Sequence, residues 1–197
     1  MIGKLTGKLI AKAPPQLLLD VNGVGYELEA PMSTFYRLPA TGEGVSLFTH
    51  LTVREDAHLL FGFASAAEKE LFRTLIKLSG VGPKLALAVL SGVSVEEFWT
   101  MVRGGDAVRL TKLPGIGKKT AERMVLELRE KAGAIDAGTT LGGISSAVPL
   151  SPLAEARAAL EALGYKPVEA AKLTDAVKQD GMSTDQLIRE ALKRAVR

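Results

Sequence analysis

The chain has 197 residues, 47% of them hydrophobic and 24% charged, which is enough to bury a proper core in one to three small domains. It has no cysteine, so disulfides and thiolate metal sites are excluded, and two isolated histidines, His50 and His58, cannot make a zinc site unaided. Net charge is +3, divided as −1 over residues 1–64, +4 over 65–131 and 0 over 132–197, so a polyanion is expected on the middle segment if one binds at all. No run approaches the ~18 apolar residues of a membrane span, and the start, Met1-Ile-Gly-Lys-Leu-Thr-Gly7, lacks the apolar core of a signal peptide. The expectation is a cytoplasmic protein without a membrane partner.

Residues 1–64 read as strands. Lys4 to Lys12, Gln16 to Val21, Gly25 to Ala30, Val45 to Val53 and Leu59 to Phe63 are short apolar and β-branched runs, separated by Pro14-Pro15, Asn22-Gly23, Thr41-Gly42 and the Arg54-Glu55-Asp56-Ala57 tip. Val45, Leu47, Leu51 and Val53 fall on alternate positions, which predicts a strand with one buried face. Five short strands with little helix predict a small closed barrel of the OB type. Glu55 and Asp56 lie side by side at a hairpin tip, where acids are ordinarily just solvated. A metal-dependent nuclease would want further carboxylates or histidines converging there, and only His58 is close in sequence.

From Ser65 the period becomes helical. Ser65 and Glu68 form a capping box, and Leu71, Phe72, Leu75, Ile76 and Leu78 line one face of a helix that stops at Gly80. Pro83 suits the first position of the next helix, which carries Leu85, Ala86, Val89 and Leu90 and ends near Gly92. Ser94 with Glu97 caps a third helix bearing Val95, Phe98 and Trp99, Asp106 caps a short fourth, and a fifth runs to about Lys131. Phe98 and Trp99 read as core, because no aromatic lies near the glycine turns to stack a base. Residues 133–150 hold four glycines and one charge without a period, and read as a flexible linker. Helices from Ser151-Pro152 to Gly164, near Pro167–Lys178 and over Thr184–Val196 make a three-helix module, better suited to docking than to catalysis.

The middle segment is organised by two stretches of the same layout, Leu78-Ser-Gly-Val-Gly-Pro-Lys-Leu-Ala86 and Leu113-Pro-Gly-Ile-Gly-Lys-Lys-Thr-Ala121, offset by 35 residues. In each, Gly80-Val81-Gly82 or Gly115-Ile116-Gly117 leaves one helix and enters another almost at once. The new helix start points amides and the positive end of its dipole at one spot, and Lys84 in the first copy, with Lys118 and Lys119 in the second, add charge there. Phosphate can bind such a turn without any base being read. A Walker loop fails on spacing, since Lys112 stands where its glycine should be and Lys119 where Ser or Thr should be; a dinucleotide fingerprint would need glycine at Leu85 or Thr120. These are the marks of tandem helix-hairpin-helix motifs, which grip duplex backbone. Two other readings are open: a repair glycosylase or lyase that holds DNA by the same hairpins with Lys118 or Lys119 as amine nucleophile, and a single-strand binder built on the barrel.

Taken together, Met1-Ile-Gly-Lys-Leu-Thr-Gly7, Gly23-Val-Gly-Tyr-Glu27, Phe48-Thr-His50, Val53-Arg-Glu-Asp-Ala57, the two glycine turns with Thr120 and Arg123, and Leu163-Gly-Tyr165 resemble the RuvA family of Holliday-junction-binding subunits over essentially the whole chain. The resemblance implies an α+β protein: an OB-fold β-barrel with an acidic pin over 1–64, a helical domain with tandem helix-hairpin-helix motifs over 65–132, a linker over 133–150, and a small three-helix, UBA-like domain over 151–197. It implies a pin at Arg54, Glu55 and Asp56, DNA contacts at Gly80, Val81, Gly82, Lys84, Gly115, Ile116, Gly117, Lys118, Lys119, Thr120 and Arg123, and partner docking at Leu160, Leu163, Gly164 and Tyr165. The implied partners are four-way junction DNA, the RuvB motor ATPase, RuvC resolvase in a larger complex, and further copies of the chain as a homotetramer or a face-to-face octamer. It implies no catalytic residue, metal or cofactor.

Overall fold

The computed structural model describes residues 1–136, 151–179 and 181–195, and the chain divides into two compact units, Met1–Gly143 and Ile144–Arg197. In the first unit, five strands, β1 (Lys4–Ala13), β2 (Gln16–Val21), β3 (Val24–Glu29), β4 (Gly44–Val53) and β5 (His58–Phe63), close into a barrel in the order β1-β2-β3-β5-β4. All pairings are antiparallel except β3 with β5, which close the barrel in parallel at Glu29 and Phe61. Alternation along the strands fills the interior with Leu5, Leu9, Leu17, Leu19, Leu28, Leu47 and Leu60.

On β4 the expected alternation holds for Val45, Leu47 and Leu51, with Thr49 buried between them by donating its hydroxyl to the Ile2 carbonyl at 2.8 Å. It fails at Val53, which is 62% exposed because the strand has by then run past the barrel. The opposite face of β4 is also covered: Phe48 packs on the helical core and the His50 ring meets Phe72 edge-on at 5.6 Å. A four-residue helix, α1 (Met32–Phe35), stands between β3 and β4 where no element was expected, because one turn is too short to show a helical period.

Five helices follow: α2 (Ala66–Leu75), α3 (Pro83–Gly92), α4 (Val95–Arg103), α5 (Ala107–Leu110) and α6 (Lys118–Asp136). Ser65–Glu68 and Ser94–Glu97 both form the expected capping boxes, and Asp106 accepts from the Arg109 amide. Their apolar faces, with Phe98 and Trp99, form a core that also takes in Phe61 and Phe63 of β5. Phe72 sits with its ring centroid 4.9 Å from Phe61 and 5.0 Å from Phe63, so barrel and helices are sealed into one body. Glu68 reinforces the seal from inside, accepting the Ser65 amide at 3.1 Å and facing the buried Thr34 hydroxyl of α1, which in turn accepts the Ala64 amide at 3.0 Å.

Helix α6 passes Lys131 and runs to Asp136, four residues into the stretch 133–150 read as a linker. A single Gly133 costs a helix only about 1 kcal/mol relative to alanine, which neighbouring helix formers offset. The remainder of that stretch, 137–150, and Val196 lie outside the described residues. In the second unit, α7 (Pro152–Ala162), α8 (Pro167–Asp175) and α9 (Thr184–Ala195) pack around Leu160, Ala170, Leu187 and Ala191. Ser183 and Gln186 form a capping box at the start of α9, and Arg157 ties α7 to α8 through Thr174 at 3.2 Å and Asp175 at 2.6 Å.

Candidate nucleic-acid interface

The two glycine turns superpose bond for bond at the 35-residue offset. The amides of Leu78 and Leu113 donate to Leu75 and Leu110 at 3.0 and 3.1 Å, those of Val81 and Ile116 to Leu78 and Leu113 at 3.1 and 3.2 Å, and those of Ala86 and Ala121 to Gly82 and Gly117 at 3.0 Å each. Val81 and Ile116 are each 5% exposed, so each turn is nailed to the core by its middle residue while the flanking glycines face solvent. Gly80 and Gly115 have φ of +79° and +80°, the left-handed region that a side chain disfavours. Gly82 caps α3 in an extended conformation with no side chain occupying the cap, so the first amides of α3 remain open to an outside acceptor.

Lys84, Lys118 and Lys119 are exposed beside these turns and Thr120 is half-buried. Lys118 makes only a loose contact with Glu122, at 4.0 Å, and its side chain is 86% exposed, a pair worth little in water. Arg123 is set differently. It is half-buried on α6, with Nε 3.9 Å from Glu127, and a Cβ added to Gly80 would lie 2.8 Å from its Nη2. The guanidinium therefore lies over the first turn although its backbone belongs to the second repeat. The return contact is apolar: a Cβ on Gly115 would lie 3.0 Å from Leu85 Cδ1. Lys77 and Lys112 were passed over in the sequence although they obey the same offset; both are exposed and each precedes its turn, widening the basic surface.

At the far end of β4 the last paired residues are Val53 and His58, and the Arg54 amide closes the tip on the Ala57 carbonyl at 2.8 Å. Arg54, Glu55 and Asp56 are all exposed, and neither carboxylate has an ion-pair partner among the described residues. No group of three or more His, Cys, Asp or Glu is placed to hold a metal among the described residues. His50 sits in the barrel–helix seam, with Nδ1 buried and unpaired; burial first, then Arg73 and Lys69, hold its pKa below the usual 6.5 against an opposing pull from Glu70.

The four residues expected to dock a partner separate. Leu160 is completely buried and serves the interior of the small unit, because the apolar face of α7 points inward there. Leu163 is 62% exposed, Gly164 is at the surface with φ +101°, and Tyr165 is half-buried against the core. Val168, 69% exposed, is a further surface apolar residue at the start of α8 that the sequence analysis did not single out. No single helix among the described residues is long and apolar enough to cross a membrane.

A closed OB-type barrel sealed to two matched glycine turns defines a tandem helix-hairpin-helix protein. The family comparison agrees and is more specific: residues 1–62 match the RuvA N terminal domain, 72–130 the SAM-like helix-hairpin-helix tandem, and 151–196 the RuvA C-terminal domain. The chain belongs to the RuvA family. It is 55% identical to a protein of Stenotrophomonas maltophilia strain K279a over 100% of both chains, and 54% identical to one of Thioalkalivibrio sulfidiphilus over 98% of both. A protein of Pseudomonas aeruginosa strain LESB58 is 53% identical over 98% of both chains. Each of the three is named as the RuvA subunit of a Holliday junction branch migration complex.

Proposed function

We propose that this chain binds four-way DNA junctions without reading their sequence, as a non-catalytic subunit of a branch-migration complex. The observation that carries the reading is the pairing, in a RuvA-family chain, of two geometrically matched phosphate turns with an exposed, unpaired acidic tip. The turns, with Lys84, Lys118, Lys119, Thr120 and Arg123, grip backbone on both strands of an arm, which gives affinity and salt dependence but no preference for a base. The tip supplies the preference for a crossover. Four copies about a four-fold axis bring about eight carboxylates to the centre, where they repel phosphates and keep the strands apart while the junction is held open and square. Glu55 and Asp56 thus cost affinity and contribute specificity.

ATP hydrolysis belongs to a partner motor of the RuvB kind, recruited by the 151–197 unit through Leu163, Gly164 and Tyr165, with Leu160 supporting that surface from within. RuvC-type resolvase joins in a larger assembly, and tetramers act singly or face to face, in the cytoplasm. The reading of Lys118 or Lys119 as a lyase nucleophile loses ground to geometry, because such an amine needs desolvation and the Lys118 side chain is 86% exposed. A gel shift tests the proposal: a four-way junction should be bound at protein concentrations that leave a linear duplex of the same sequence free. Equal affinity for the two would sink it. Lys118→Ala or Lys119→Ala should weaken binding and lower the salt slope by ~0.9 per lost phosphate contact.

A further inference from the structure

The two turns match in backbone but not in what they offer an anion. At the first helical position the first turn has Pro83, which has no N–H, where the second has Lys118, with both an N–H and a charge. One residue on, the two are equal, Lys84 against Lys119. The first turn is thus one donor and one cation poorer, although both must hold phosphate if an arm is gripped on two strands.

What lies over the first turn offsets the deficit. The Arg123 guanidinium comes from α6 of the second repeat, close enough to Gly80 that a Cβ there would lie 2.8 Å from Nη2 and 3.8 Å from Cζ. The equivalent position in α3 is Ala88, so the first repeat cannot return the favour, and the second turn receives the apolar Leu85 instead. Arg123 is half-buried and its Nε faces Glu127 at 3.9 Å, which leaves the terminal nitrogens at the turn. A planar fork held in that way loses little freedom on binding and matches phosphate oxygens two at a time.

We infer that Arg123 is the missing cation of the first turn: carried by the second motif, it completes the phosphate site formed by Gly80 to Lys84. The first site is therefore composite, and neither motif grips DNA fully without the other. This assignment rests on the phosphate-gripping reading above and goes further by pairing Arg123 with Lys84, across the repeats, rather than with the lysines on its own helix.

A double-mutant cycle on the full-length chain tests it, read by fluorescence anisotropy with a labelled four-way junction. The variants are Lys84→Ala, Lys119→Ala, Arg123→Met and the two pairs containing Arg123→Met. Arg123→Met alone should weaken binding about tenfold and lower the salt slope. Combined with Lys84→Ala, the loss should depart from the product of the single losses by about threefold or more; combined with Lys119→Ala, it should equal the product. Coupling to Lys119 with independence from Lys84 overturns the assignment, as does an unchanged affinity in Arg123→Met while both lysine variants bind weakly. If no lysine variant weakens binding, the phosphate-gripping reading itself falls and takes the inference with it. Arg123→Lys covers a fold damaged by methionine: the assignment requires it to keep the salt slope yet lose affinity severalfold, and wild-type affinity in that variant refutes the fork.

Discussion

Alanine at Gly115 and alanine at Gly117 should do opposite things, although the two positions are two residues apart. Gly115 has φ +80°, which costs a side chain about 1–2 kcal/mol, and its Cβ would meet Leu85 Cδ1 at 3.0 Å, so the neighbour must also give way. Together these make Gly115→Ala a loss of about 2 kcal/mol. Gly117 is not in the left-handed region and a Cβ there meets nothing within 4 Å. Its replacement exchanges a slightly poorer helix cap for a less mobile unfolded chain, for a net change within about 0.5 kcal/mol. The open space at Gly117 is where a phosphate would approach the α6 amides, so the methyl should cost junction affinity instead. Trp99, the single tryptophan and 8% exposed, lies in the helical core and reports unfolding of this unit alone. In urea, Gly115→Ala should move the Trp99 midpoint down by about 1 M at a typical slope of about 2 kcal/mol/M, while Gly117→Ala leaves it in place and binds junctions at least severalfold more weakly. Equal stability losses in the two variants, or full junction affinity in Gly117→Ala, would refute this account of the turn.

Three further outcomes are expected. Glu55→Gln with Asp56→Asn should keep or raise affinity for DNA while narrowing the gap between junction and linear duplex; a collapse in affinity for both in a competition gel shift would remove the tip from the mechanism. Burial lowers the His50 pKa in the folded chain, so the unfolded chain binds the extra proton first: stability should be level above about pH 6.5 and fall as pH drops below it. Thermal melts of His50→Gln should show a shallower fall over that window, and an unchanged profile would clear His50 of the effect. Phe72→Ala removes a ring that touches His50, Phe61 and Phe63 and should cost about 3–5 kcal/mol, melting barrel and helices together rather than in two steps by calorimetry.

Much of this architecture is written in local patterns. The barrel strands announce themselves because side chains alternate between its interior and outside, and the helix starts because Ser65, Ser94 and Asp106 each satisfy amides a few residues ahead. What was not legible depends on who packs against whom. The unbroken apolar run from Leu59 to Phe63 is the mark of a strand covered on both faces, yet nothing local says that the cover is Phe72. Leu160 was expected at a docking surface from the family resemblance, and only the assembled unit shows that its side chain is buried in the interior. Arg123 was legible as a basic residue after a glycine turn, but its station over Gly80 of the other turn follows from how the repeats pack, which spacing does not encode.

The double covering of β4 also has a mechanical side. A strand gripped on one face by the barrel interior and on the other by α2 is clamped, and what projects past the clamp is a short cantilever, from Val53 to His58. Its stiffness resides in that shortness, so the height of Glu55 and Asp56 above the barrel is set by where the clamp ends rather than by the loop. Adding one residue to each strand would raise the charges by about 3.4 Å and turn every following side chain to the opposite face. Reach and facing are thus tied to one integer, the number of residue pairs beyond the clamp, and cannot drift independently.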